Sequence, residues 1–267
     1  MAEDKIVFED GAGYERMMGK WSQLVGEVFL DWLAAPAGWR WVDVGCGNGA
    51  FTELLVDRCA PSEVQGIDPA QGQLAFARTR PAARVAQFHQ GDAAALPFAD
   101  GHFDAAVMAL VIFFVPDPAH GVAEMARVVR PGGLVAAYGW DMLGGGFPLD
   151  ALRTEMRALG VMPTLPPSVD ASRMDVMRQL WTGAGLRSIE TREITVQRTF
   201  ENFDDYWATS MFSSNGPKVM AMPAGDRELL KQRLRARLPI DAAGRITHGA
   251  RANAIKGRVP QPSDSCS

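Results

Sequence analysis

Apolar residues recur along this chain with two periods that take turns, one of helical and one of strand type. Starting at Trp21, the apolar positions Leu24, Val25, Val28, Phe29, Trp32 and Leu33 fall at helical spacing, and Pro36 and Gly38 end the segment. Trp41, Val42 and Val44 then form a short buried-strand run that breaks at Gly45, Gly47 and Gly49, after which Phe51, Leu54 and Leu55 return at helical spacing. The exchange repeats, with strands expected at 64–67, 84–89, 103–109 and 134–138. The intervening helix from Asp117 and Pro118, as cap and first residue, is expected to end at Pro131-Gly132-Gly133. Helices near 149–159 and 172–184, a strand at 189–200, a basic helix at 227–237 and a last strand at 245–255 complete the pattern. Strands alternating with helices predict an α/β fold around a doubly wound sheet.

The glycine turn is the first chemical signal. Without a Cβ, its backbone can take positive φ and approach a ligand closely, and the helix that opens there offers unpaired N–H groups. Gly45, Gly47 and Ala50 also fit the dinucleotide fingerprint G-x-G-x-x-A, so the turn alone leaves a nicotinamide or flavin enzyme open. Asp68, at the end of the second strand, suits the paired hydroxyls of a ribose. Asp68-Pro69 also reads as the cap and first residue of the next helix.

Composition narrows the classes. The chain has 267 residues, 47% hydrophobic and 22% charged, the balance of a globular protein of one domain. No uninterrupted apolar run approaches the ~18 residues of a membrane span, and the start M-A-E-D-K has no apolar signal region, so a cytoplasmic protein without membrane insertion is expected. A net charge of −4 without a dense basic run argues against a nucleic-acid partner. Cys46, Cys59 and Cys266 form no C-x-x-C pair, so neither a disulfide framework nor a metal site is indicated.

Five ordered motifs add a resemblance. D-V-G-C-G-N-G (43–49), G-I-D-P (66–69), G-D-A-A-A-L-P-F (91–98), F-D-A-A-V (103–107) and R-V-V-R-P-G-G (127–133) together resemble the class I S-adenosylmethionine-dependent methyltransferases, in the small-molecule, UbiE-like branch. The resemblance implies a Rossmann-like, seven-stranded, mostly parallel sheet with an antiparallel strand and helical lid segments, and S-adenosyl-L-methionine as cofactor. It carries the adenine-binding role to Asp92 and Ala93 and the ribose role to Asp68. An N-terminal segment that folds over the site would let Tyr14 and Arg16 meet the methionine carboxylate. Asp43, Gly45, Cys46, Gly47, Pro69, Ala94, Ala109 and Leu110 complete the expected cofactor contacts. The implied domain covers 1–258, with 1–35 as a cover, 143–170 and 201–240 as lids, and 259–267 as a flexible tail.

Methyl transfer from a sulfonium is an in-line displacement that needs position more than a protein nucleophile, so the absence of a Ser/His/Asp or metal constellation fits. The catalytic residue is left unassigned, with Asp141 as the candidate base for an acceptor that arrives protonated. Phe113, Phe114, Trp140 and Trp207 are expected around the acceptor, which favours a small, apolar or aromatic molecule. An NAD(P)-binding oxidoreductase and a non-catalytic cofactor-binding protein are the alternatives.

Overall fold

The computed structural model describes residues 15–261. A π-helical turn, Glu15–Gly19, leads into helix α1 (Lys20–Leu33), which buries Trp21, Val25, Phe29 and Leu33. Strands β1 (Arg40–Val44), β2 (Glu63–Asp68) and β3 (Ala86–Gln90) alternate with α2 (Ala50–Cys59) and α3 (Gln71–Ala77). Then come β4 (Phe103–Ala109), α4 (Pro118–Val128) and β5 (Val129–Trp140). The second part of the chain supplies α5 (Asp150–Ala158), α6 (Met174–Gly183), β6 (Arg187–Phe200), α7 (Phe203–Ser210), α8 (Gly216–Met220), α9 (Ala224–Arg237) and β7 (Ile246–Arg258).

These strands form one seven-stranded sheet in the order β3-β2-β1-β4-β5-β7-β6. Strands β1 to β5 run parallel, while β7 lies antiparallel between β5 and β6. Continuous apolar runs such as that of β4 are buried because helices cover both faces of a parallel sheet. The chain winds outward from β1 to β3 and then crosses back to β4 on the other side of β1. That reversal opens a crevice at the carboxyl ends of the central strands, where α/β sheets take ligands. The seven-stranded mixed sheet expected from the motifs is therefore present.

Three local expectations change. Helix α4 stops at Val128, and Pro131-Gly132-Gly133 belongs instead to the irregular start of β5, where pairing slips between Phe103↔Val129 and Ala105↔Leu134. Gly132 takes φ +76° there and donates its N–H to the Val259 carbonyl at 2.9 Å. Val259 returns a bond to the Gly133 carbonyl at 3.1 Å, so the chain is still tied down at 259, and residues 262–267 of the expected tail lie outside the described residues. Asp68 does not cap α3. Its Oδ1 accepts from the Ala70 N–H at 2.8 Å, which forms a turn ahead of a helix whose cap residue is Ala70.

Candidate active site

A cavity of about 940 Å³ occupies the crevice. Its inner edge is the turn between β1 and α2. Gly45 has φ +76°, and a Cβ on it would stand 2.4 Å from Val111 Cγ1, so both conformation and space require glycine. Gly47, at φ +52°, has nothing within 4 Å of where a Cβ would sit, which leaves its main chain open to a ligand. The turn is held by N–H groups of Gly45 and Cys46 on the Ile67 carbonyl, at 2.7 and 3.0 Å.

Three carboxylates from successive strand ends line the same cavity: Asp43, Asp68 and Asp92. Asp68 Oδ2 accepts from the Gly47 N–H at 2.9 Å, so this acid grips the glycine turn while facing the cavity. Burial raises its pKa, and the N–H groups of Ala70 and Gly47 oppose that rise. Asp43 is fully buried; Oδ2 accepts from Thr52 Oγ1 at 2.6 Å, whereas Oδ1 has no partner. Desolvation pushes its pKa up to about 7, reduced by the Thr52 hydrogen bond and assisted by the negative charge of Asp68. Asp92 is exposed, and its Oδ1 accepts from the Ala94 N–H at 2.8 Å. Burial also raises the Cys46 thiol well above its ordinary value, so it stays protonated beside the acids.

Of the residues expected at the cofactor, Gly45, Cys46, Gly47, Pro69, Ala93, Ala109 and Leu110 line the cavity with the three acids. Leu110 does so at φ +63°, a strained conformation for a residue with a side chain, held by its N–H on the Tyr138 carbonyl at 2.8 Å. Ala94 is not on the wall; it serves the turn around Asp92. Arg16 is exposed, with its guanidinium 5.3 Å over the Phe212 ring, and lies off the cavity. Tyr14 falls outside the described residues.

Among the expected acceptor residues, only Phe114 lines the cavity. Phe113, its neighbour in a tight turn, points into the core and would touch any side chain at Gly139. Trp140 is 1% exposed and covered edge-on by Trp21, with ring centroids 6.3 Å apart. Trp207 stacks on Phe203 at 6.3 Å and under Lys231 at 5.1 Å, away from the cavity. Asp141 is likewise elsewhere: Arg251 clasps Oδ2 and the Gly144 N–H fills Oδ1 at 2.9 Å. It lines a different, smaller cavity.

Several wall residues carried little or no signal in the sequence. Ser22 sits among the apolar positions of α1, and its buried hydroxyl has no partner. Gln73, on α3, is 3% exposed with an unpartnered Oε1. A polar residue inside an apolar helical stripe is a signal that could have marked both. Tyr138 reaches the wall from β5, packed on Phe29 with centroids 4.7 Å apart. Thr164, Leu165 and Pro167 come from the proline-rich stretch and Lys218 from α8. Val111, Val115 and Pro116 continue the apolar wall beside Phe114.

A family model described as a methyltransferase domain matches residues 42–137, the stretch from β1 to β5 that builds the glycine turn and the strand ends. Over that stretch the chain is similar to methyltransferases, demethylmenaquinone methyltransferases among them. A demethylmenaquinone methyltransferase of Renibacterium salmoninarum is 37% identical over 52% of this chain and 56% of its own length. An uncharacterized protein of Mycobacterium tuberculosis is 29% identical over 84% of this chain and 82% of its own. The chain spans about half the length of the first curated relatives it matches. Among solved structures, the phosphoethanolamine N-methyltransferase 2 of Haemonchus contortus, in complex with S-adenosylhomocysteine, superposes with a TM-score of 0.59. At 16% identity, covering 94% of this chain and 57% of that one, this likeness concerns the fold. The matched stretch ends within β5, and the second half of this chain adds the outer strands and further residues of the cavity wall. Among the described residues no helix is long and apolar enough to cross a membrane.

Proposed function

We propose that this chain transfers the methyl group of S-adenosylmethionine to a small, largely apolar molecule bound in the same cavity. One observation carries the reading: the open main chain of Gly47, the carboxylate of Asp68 and that of Asp92 come from three neighbouring strand ends and share one cavity. The donor set fits the cofactor. Asp68 and Asp92 are acceptors for ribose hydroxyls and an adenine amine, and Ala93 and Pro69 wall the nucleoside.

The cofactor supplies a methyl carbon made electrophilic by its positive sulfur. The rest is positioning by the chain. A volume of about 940 Å³ lies at the upper end of small-molecule sites and has room for cofactor and acceptor together. Holding acceptor and methyl in a productive geometry is worth ~7–11 kcal/mol, and Thr164, Leu165 and Pro167 line the same cavity. Phe114, Val111, Val115 and Pro116 favour an apolar acceptor body on that side. The segments 143–170 and 201–240 then act as the lids of one methyltransferase domain.

Calorimetry with S-adenosylhomocysteine tests the seat. Asp68→Ala and Asp92→Ala are each expected to weaken binding by about tenfold or more, equivalent to ~1.4 kcal/mol. Unchanged affinity in both variants sinks the reading, and saturable NADH binding in place of S-adenosylhomocysteine would turn it into the dehydrogenase alternative. Label carried from methyl-labelled cofactor into a metabolite extract then identifies the acceptor; no transfer despite tight cofactor binding would leave a non-catalytic binding protein.

A further inference from the structure

The glycine turn at the cavity is held from outside by a residue that no motif marked. Glu15, at the start of the π-helical turn, accepts with one carboxylate oxygen, Oε2, from Asn48 Nδ2 at 2.9 Å and from Arg80 Nη2 at 2.6 Å. Asn48 is 2% exposed and belongs to the cavity wall beside Gly47. Its Oδ1 accepts from the Ala50 N–H at 3.2 Å, and its carbonyl accepts from Arg80 Nε at 2.6 Å. The main chain that Gly47 leaves open to a ligand is thus followed at once by a residue held by Glu15 at its side chain and by Arg80 at its carbonyl.

Space at Gly19 decides where the Glu15 carboxylate lies. Gly19, four residues on, has ordinary helical angles, φ −53° and ψ −48°, so its backbone does not demand glycine. A Cβ there would nevertheless stand 2.7 Å from Glu15 Cδ and 2.8 Å from Oε1. The carboxylate lies folded against the bare Cα of Gly19, and any side chain at that position pushes it away. The turn itself has other anchors: Met17 and Met18 are buried, and Arg198 on β6 donates to the Met17 carbonyl at 3.0 Å. An alanine at Gly19 therefore meets the end of a flexible side chain and displaces it without unseating the turn.

We propose that Glu15 is a positioning residue for the cofactor: resting on Gly19, it fixes Asn48 and through it the glycine turn in the form that receives the ligand. The inference rests on the methyl-transfer reading for the identity of that ligand, and its contribution to affinity is pre-organisation of the turn. It is tested by a double-mutant cycle on the full chain, with S-adenosylhomocysteine affinity measured by calorimetry well below the melting temperature. Glu15→Ala and Gly19→Ala are each expected to weaken binding about fivefold or more, ~1 kcal/mol. The double variant should bind no more weakly than Glu15→Ala, because Gly19→Ala acts only through the carboxylate. Glu15→Gln keeps an oxygen that accepts from both donors and should bind like the wild type. A merely structural part for either residue would move the melting temperature and leave the affinity of the folded chain in place. Unchanged affinity in Glu15→Ala, additive losses in the double variant, or Glu15→Gln as weak as Glu15→Ala each overturn the proposal. Amide hydrogen exchange of the ligand-free chain gives a second readout. Glu15→Ala and Gly19→Ala should both speed exchange across residues 46–50 whether or not S-adenosylhomocysteine binds, and unchanged exchange there overturns the proposal too. Should the wild type fail to bind S-adenosylhomocysteine, the methyl-transfer reading falls, and exchange alone decides whether Glu15 holds the turn.

Discussion

Gly45 and Asp43, two residues apart, show how much of the candidate site rests on single positions. A Cβ at Gly45 would meet Val111 at 2.4 Å in a backbone at φ +76°. Gly45→Ala is therefore expected to destabilise the fold by roughly 2–4 kcal/mol, read in denaturant melts, because overpacking and backbone strain act together. At Gly47 there is open space, so Gly47→Ala adds backbone strain only, and its main effect should be on cofactor affinity. Asp43 makes a pH prediction. Its folded pKa of about 7 lies above the ordinary 3.8, so the native chain holds this proton longer than the unfolded one does. The resulting stability is fully present below about pH 4 and is lost as pH rises through about 7. Asp43→Asn should flatten melting temperature against pH across that window; an unchanged slope would assign it to another group. At this scale the glycines, Asp68 and Asp92 could be read from ordered motifs. The unpartnered atoms of Ser22 and Gln73 could not, because an unsatisfied hydroxyl or amide exists only once neighbours have removed water from it.

The elements around the turn are tied by one side chain. Arg80, following α3, donates to the Asn48 carbonyl at 2.6 Å, to Glu53 in α2 at 2.8 Å and to Glu15 in the π-helical turn at 2.6 Å. Its side chain is only 13% exposed, while those of Glu15 and Glu53 are 40% and 25% exposed, which screens part of the charge effect. Arg80→Met is expected to cost about 1–3 kcal/mol in stability and to loosen the entry to α1. Arg80→Lys should rescue it poorly, since a point charge cannot reach three acceptors from a planar fork. A full rescue by lysine would show that charge alone matters. Helix and strand periods placed most elements within a few residues. They failed at Pro131-Gly132-Gly133, where turn residues that usually end a helix were absorbed into a bulged strand edge held by Val259, a partner more than a hundred residues away.

Across the whole molecule, the proposed reading joins ligand binding to stability. S-adenosylhomocysteine at about a hundred times its dissociation constant should stabilise the chain by ~2.7 kcal/mol and raise the melting temperature by roughly 5–10 °C, the size of shift expected for a domain of this length. No shift in the wild type would count against the large cavity as its seat. The sheet order and the crevice follow from the alternation of strand and helix together with right-handed crossovers, which leave few ways to wind such a chain. The sequence by itself determined the fold class, the glycine turn and the acids at the strand ends, because those depend on local spacing and on backbone chemistry. Only the tertiary structure decided which side of each remaining residue meets a ligand. Trp140 and Phe113 went to the core and Trp207 to a half-buried place between Phe203 and Lys231, while Phe114, Tyr138 and Lys218 came to the wall. Asp141 was drawn to Arg251 at the edge of a different cavity. Those outcomes depend on contacts between distant segments, which no window of neighbouring residues contains.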